Sequence, residues 1–107
     1  PAWHTVPVQL RHLLDDVRYQ MEHNSFSCDE LVARFHHRLV LIHPFPNGNG
    51  RHARLMADLL IHQLGGNSFT WGGSSLDKAS EIRTRYINAL RAADKGDIVP
   101  LVLFMRS

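Results

Sequence analysis

Between His43 and Arg54 the chain reads His-Pro-Phe-Pro-Asn-Gly-Asn-Gly-Arg-His-Ala-Arg, which sets a titratable ring, a run of turn-forming residues and two guanidiniums close together. Asn47, Gly48, Asn49 and Gly50 tolerate positive φ, and two of them carry no Cβ, so successive backbone N–H groups can converge on one anion. A helix starting near Gly50 or Arg51 adds its first-turn amides and the positive end of its dipole. Arg51 and Arg54, three residues apart, then share a helix face, and planar forked guanidiniums there suit phosphate oxygens. His43 supplies an imidazole, the side chain type that exchanges a proton near neutral pH. Residues of these types at this spacing make a polyphosphate cradle beside a general base.

Such a loop has to be held at both ends. Leu39-Val40-Leu41-Ile42 leads into it and Leu55-Met56-Ala57-Asp58-Leu59-Leu60-Ile61 leads out, and both read as buried helix. Pro44 disfavours the α region at His43, so the incoming helix stops at or just before His43 and turns the imidazole into the loop, with Phe45 as a hydrophobic anchor. Upstream, Leu10, Leu13, Leu14, Val17 and Met21 predict an amphipathic helix from about Pro7 to His23. Ser27 and Glu30 have capping-box spacing for a second, central helix carrying Leu31, Val32, Phe35, Leu39, Val40 and Ile42. A third helix runs from about Arg51 to Leu64 and ends at Gly65-Gly66-Asn67. Ser74 with Asp77 signals the start of a fourth, marked by Leu76, Ala79, Ile82, Tyr86, Ala89, Leu90 and Ala93 and closed by Lys95-Gly96. Asp97 opens a short apolar helix through Met105, with Pro100 in its first turn. The expectation is all-α: a bundle of about five helices with the polar loop between two buried central ones.

The 107 residues suffice for one small core. Twelve Lys and Arg against ten Asp and Glu leave a net charge of +2, too slight for a protein that coats nucleic acid or anionic membrane. The single Cys28 precludes an intrachain disulfide, and no apolar run approaches the roughly 20 residues of a membrane span. A reducing cytoplasm is the default expectation.

The stretch from His43 resembles the signature of the Fic/Doc family, His-Pro-Phe-x-(Asp/Glu)-Gly-Asn-Gly-Arg-x-x-Arg, departing from it only at Asn47. Tyr86-Ile87-Asn88-Ala89-Leu90-Arg91-Ala92-Ala93-Asp94-Lys95-Gly96-Asp97 is similar to a later helix of that family, and the wording from His43 to Leu59 looks closest to its mobile mystery protein B subgroup. The resemblance implies a Fic-like helical fold and a protein adenylyltransferase that moves AMP from ATP to a Ser, Thr or Tyr hydroxyl of a target protein. It makes His43 the base, Gly48, Asn49, Gly50, Arg51 and Arg54 the phosphate cradle, and Tyr86 and Asp94 contacts to the nucleoside. The family's acid at position 47 helps hold Mg2+, which Asn47 can serve only with a neutral carbonyl. It also implies a single Fic-like domain over residues 1–107 that is the C-terminal part of a longer protein and follows the family's β-hairpin flap. The family's restraining string, Ser/Thr-x-x-x-Glu-Gly/Asn, is not found, so the expected restraint is either an N-terminal segment of the longer protein or a separate antitoxin-like chain as partner.

Plainer readings stand beside these. Gly48, Asn49 and Gly50 are compatible with an ordinary turn and N-cap, and Arg54 has Asp58 four residues on for a surface pair of about 0.2–0.5 kcal/mol. Tyr86 lies on an apolar stripe, Trp71 reads as a packing plug, and Cys28 has no catalytic partner. His36 and His37 are expected as a solvated or core-edge pair, because neighbours on a helix diverge by about 100° and nothing completes a metal set. Two functional alternatives follow: a degenerate Fic fold that binds nucleotide or a partner without chemistry, and a helical DNA-binding module using Arg51, His52 and Arg54.

Overall fold

The computed structural model describes residues 3–43, 48–74 and 76–107. Among them every regular element is helical: a 3-10 turn at Trp3–Thr5, then α1 (Val6–Glu22), α2 (Cys28–Ile42), α3 (Asn49–Gln63), α4 (Ala79–Asp94) and α5 (Val99–Met105). The fold is all-α, as the periodicity requires, and no described helix is long and apolar enough to cross a membrane. The expected anchor Phe45 and the metal candidate Asn47 lie outside the described residues. The chain forms two compact units, Pro1–Gly66 and Asn67–Ser107.

In the first unit, local chemistry sets the helix limits. The Ser27 hydroxyl accepts the Glu30 N–H at 3.2 Å, and Asp29 and Glu30 put negative charge at the positive end of α2. α3 closes with Gly65 at φ 80°, where the N–H groups of Gly65 and Gly66 donate back to His62 and Ile61 at 3.0 and 2.9 Å. Asn24, at φ 49°, closes α1 in the same way. α2 packs against both α1 and α3 and buries Leu31, Val32, Phe35, Leu39 and Ile42. An Arg38–Asp16 ion pair at 2.6 Å ties it to α1.

The outer helices bury less than their composition suggests. α1 buries Leu13 and Val17, but Leu14 is 60% exposed and Met21 also faces solvent, because a helix with one main neighbour needs only one narrow seam. α3 buries Ala53, Ala57 and Ile61, which recur every fourth residue, and leaves Leu55 and Leu59 about half exposed.

In the second unit, α4 and α5 pack around Tyr86, Ala89, Leu101, Phe104 and Met105. The preceding loop is pinned to the end of α5: the N–H groups of Thr70 and Trp71 both donate to the Met105 carbonyl at 3.0 Å. Thr70 Oγ1 donates to the Ser107 carbonyl at 2.6 Å. The Trp71 ring meets Phe69 and Tyr86 edge-on, the packing role expected of it. The start of α4 differs from the expectation. Leu76 is fully exposed and α4 begins at Ala79 with no side-chain cap from the preceding Lys78, while Asp77 pairs with Arg85 at 3.4 Å. Asp97 does open α5, its Oδ1 accepting the Val99 N–H at 3.2 Å.

The Ser27 cap generates a test. Ser27→Ala should cost about 1 kcal/mol and lower the thermal midpoint by a few degrees, whereas Ser27→Gly should cost only a few tenths. Equal midpoints for wild type and Ser27→Ala in a circular-dichroism melt would remove the cap from the forces that hold α2.

Candidate functional site

The end of α2 and the start of α3 belong to one packed helix pair, and only four residues of chain separate His43 from Gly48. α2 stops where Pro44 requires, but by a different backbone route. The restriction before a proline favours an extended His43, and the residue instead adopts the left-handed conformation, φ 54° and ψ 59°. Its N–H still donates to the Leu39 carbonyl at 3.3 Å, so the left-handed residue serves as the helix's C-terminal cap. That conformation costs a non-glycine residue about 1–2 kcal/mol. The His43 side chain is exposed.

Gly48 precedes α3 at φ 74°, a conformation that glycine adopts without a Cβ penalty, and its carbonyl accepts the His52 N–H at 2.9 Å. First-turn amides of a helix have no intrahelical acceptor, and the first turn of α3 contains no acidic residue to compete with an anion. Asn49 is buried, Gly50 and Arg51 are exposed, and Arg54 is half-buried one turn further along. A Cβ at Gly50 would meet nothing within 4 Å, so the helix entrance is open there. These features bring together helix dipole, amides and two guanidiniums on the first two turns of α3.

Tyr86 and Asp94 lie on α4, in the second unit. Tyr86 is 9% exposed, and its ring packs against Phe104 at a centroid distance of 5.4 Å. Asp94 is exposed at the last position of α4. Among the described residues no group of three or more His, Cys, Asp or Glu is placed to hold a metal ion.

His36 is a residue whose placement the sequence reading misjudged. It is not at the core edge but fully buried, and its ring hydrogen-bonds to the backbone of Ala53 on α3. Burial pushes its pKa down from 6.5 to about 4; the charges of Arg54 and His37 add to that, and the Ala53 bond opposes it. The available signal was positional: Val32 and Leu39 flank it at helical spacing on the buried face of α2.

The profile of the Fic/DOC family matches residues 1–61. Over 98 residues the chain is 33% identical to protein adenylyltransferase fic-1 of Caenorhabditis briggsae and 32% identical to that of Caenorhabditis elegans, in each case 90% of this chain and 18% of the relative. Over 74 residues it is 37% identical to protein adenylyltransferase Fic of Drosophila virilis, covering 69% of this chain and 14% of that protein. The chain thus spans less than a fifth of the length of these curated relatives.

Burial of neutral His36 makes stability depend on pH. Above pH 6.5 the ring is neutral in both folded and unfolded chains, and between 6.5 and about 4 only the unfolded chain takes up the proton. Stability should therefore fall by roughly 3 kcal/mol as the pH drops through that window, with no further loss from this group below it. Urea unfolding at pH 7 and pH 4.5 should show a smaller drop for His36→Gln than for wild type; identical drops would exclude His36 as a source of acid sensitivity.

Proposed function

The chain belongs to the Fic/DOC family, and on that premise we propose that it transfers AMP from ATP to a Ser, Thr or Tyr hydroxyl of a target protein and releases pyrophosphate. The observation that carries the reading is the pairing of two helix ends: His43 closes α2, and after four intervening residues Gly48 leads into α3, whose first two turns carry the amides and both arginines. Gly48, Asn49 and Gly50 would receive the α- and β-phosphates with backbone N–H groups, and Arg51 and Arg54 would balance the triphosphate charge. His43 would take the proton of the target hydroxyl as its oxygen bonds to the α-phosphorus and the bond to pyrophosphate breaks.

Asn47 would be the residue to hold Mg2+, through its neutral side-chain carbonyl. When bound, the ion would neutralise charge on the departing pyrophosphate. Magnesium favours anionic oxygens, so a neutral ligand should hold it less well than a carboxylate. That substitution is the specific observation behind a second reading, in which the site binds nucleotide without transfer.

Two experiments test these assignments. His43→Ala should reduce transfer of labelled AMP by roughly 10²–10⁴-fold while ATP affinity stays nearly unchanged, since the base acts on the attacking hydroxyl and not on the phosphates; equal activity would remove His43 from the mechanism. Asn47→Asp should raise the transfer rate and lower the magnesium concentration needed for half-maximal rate. Superimposed magnesium titrations would take residue 47 away from the metal, and nucleotide binding without transfer by both proteins would favour the binding-only reading.

A further inference from the structure

α4 and α5 meet over a hollow in the second unit. Ala89 and Ala92 of α4 line one side, Pro100, Leu103 and Phe104 of α5 line the other, and Arg85 completes the wall. The cavity measures about 390 Å³. An apolar cavity of roughly 150 Å³ already accepts benzene, so a branched aliphatic side chain fits here. It opens to solvent: Phe104 is buried, whereas Leu103 is 65% exposed, and Val99, one turn earlier on α5, is also more than half exposed. Arg85 is held at this wall, its guanidinium donating to Ser107 Oγ at 3.3 Å, pairing with Asp77 at 3.4 Å and standing 5.6 Å from the Phe104 ring centroid. Among the described residues the lining contains this cation and no acid. The complement of such a cup is an aliphatic side chain next to a carboxylate.

The same unit displays that complement. Leu76 and Asp77 are adjacent just before α4, and because Asp77 reaches Arg85, Leu76 lies near the cavity that would suit it. It does not enter, since its side chain is fully exposed. Within one copy, therefore, the acid meets the arginine and the leucine is left in water. Isolated surface leucines are ordinary, but this one adjoins the ion pair at the wall of an open apolar cavity. We propose that residues 76–77 and the α4–α5 cavity form a self-complementary surface on which a second copy of this chain docks, the Leu76 of each copy seated in the cavity of the other. Each chain offers one leucine and one cavity, so a twofold axis beside the Asp77–Arg85 pairs satisfies both at once. The charges fit the same axis, because each Asp77 then faces the Arg85 of the opposite copy as well as its own. The contact is small, so the dimer is a weak one that forms as concentration rises. Nothing in this inference depends on the chemistry proposed for the first unit.

The test is light scattering and sedimentation of the full chain from about 10 μM to 1 mM, where a monomer–dimer equilibrium should appear. Leu76→Ser, with helicity checked by circular dichroism, should raise the dissociation constant roughly tenfold or more, because the symmetric contact loses two leucines. Ala92→Met, which fills the cavity from within, should do the same. Mixed in equal amounts, the variant without the leucine and the variant without the cavity recover one of the two contacts, so the mixture should associate more than either alone. Should Ala92→Met fail to fold, Leu103→Ser at the exposed wall of the cavity takes its place. A chain that stays monomeric across the range, or a dimer that Leu76→Ser leaves unchanged, overturns the proposal. So does a monomer whose Ala89 and Ala92 methyl resonances shift on adding a Ser-Leu-Asp-Lys peptide, a result that would give the cavity to a different protein carrying the same pair.

Discussion

The contact between α2 and α3 is the constraint on which the first unit depends. Ala53 and Ala57 present only methyl groups, so the helices meet closely along one line, and residues on either side of it have their exposure fixed by that geometry. Ile61 extends the line and Leu55 and Leu59 fall off it. Local sequence sets where α2 ends and α3 begins, and this packing holds those two ends within one helix pair.

Electrostatics at the site is local. A net charge of +2 spread over 107 residues creates no strong general field, yet the start of α3 concentrates a helix dipole, first-turn amides and two arginines, with no acid in the first turn. In the proposed function, such an arrangement would suit a compact multivalent anion better than an extended polyanion, whose recognition draws on charge across a broad surface.

What could be read from the sequence was whatever short-range chemistry decides. Ser27 with Glu30, Pro44 after His43, and Gly65 after α3 each act within a few residues, and the structure ends or starts helices at those places. Where longer-range contacts enter, the sequence says less: Ser74 and Asp77 have capping spacing, but α4 begins at Ala79 and Asp77 pairs with Arg85 on that helix. Periodicity identified the apolar stripes but not how many neighbours each helix has, so Leu14 and Leu76 looked like core and are exposed. His36 failed for a related reason. A histidine in an apolar run gives no sign of the Ala53 backbone on another helix that it will meet. Asn47, the departure from the family signature, lies outside the described residues, and its significance comes from its side-chain chemistry alone.

The pinning of the loop before α4 to the end of α5 bears on the order of folding. In the first unit each helix packs on its neighbour in sequence, so little chain entropy is lost before contacts form. The Thr70 to Ser107 bond closes 37 residues of chain. Non-local closures of this kind are the slow steps in small domains. On a ribosome the helix pair carrying the signature can therefore assemble while the chain is still growing, whereas the 70–72 loop must wait for residues made 37 positions later.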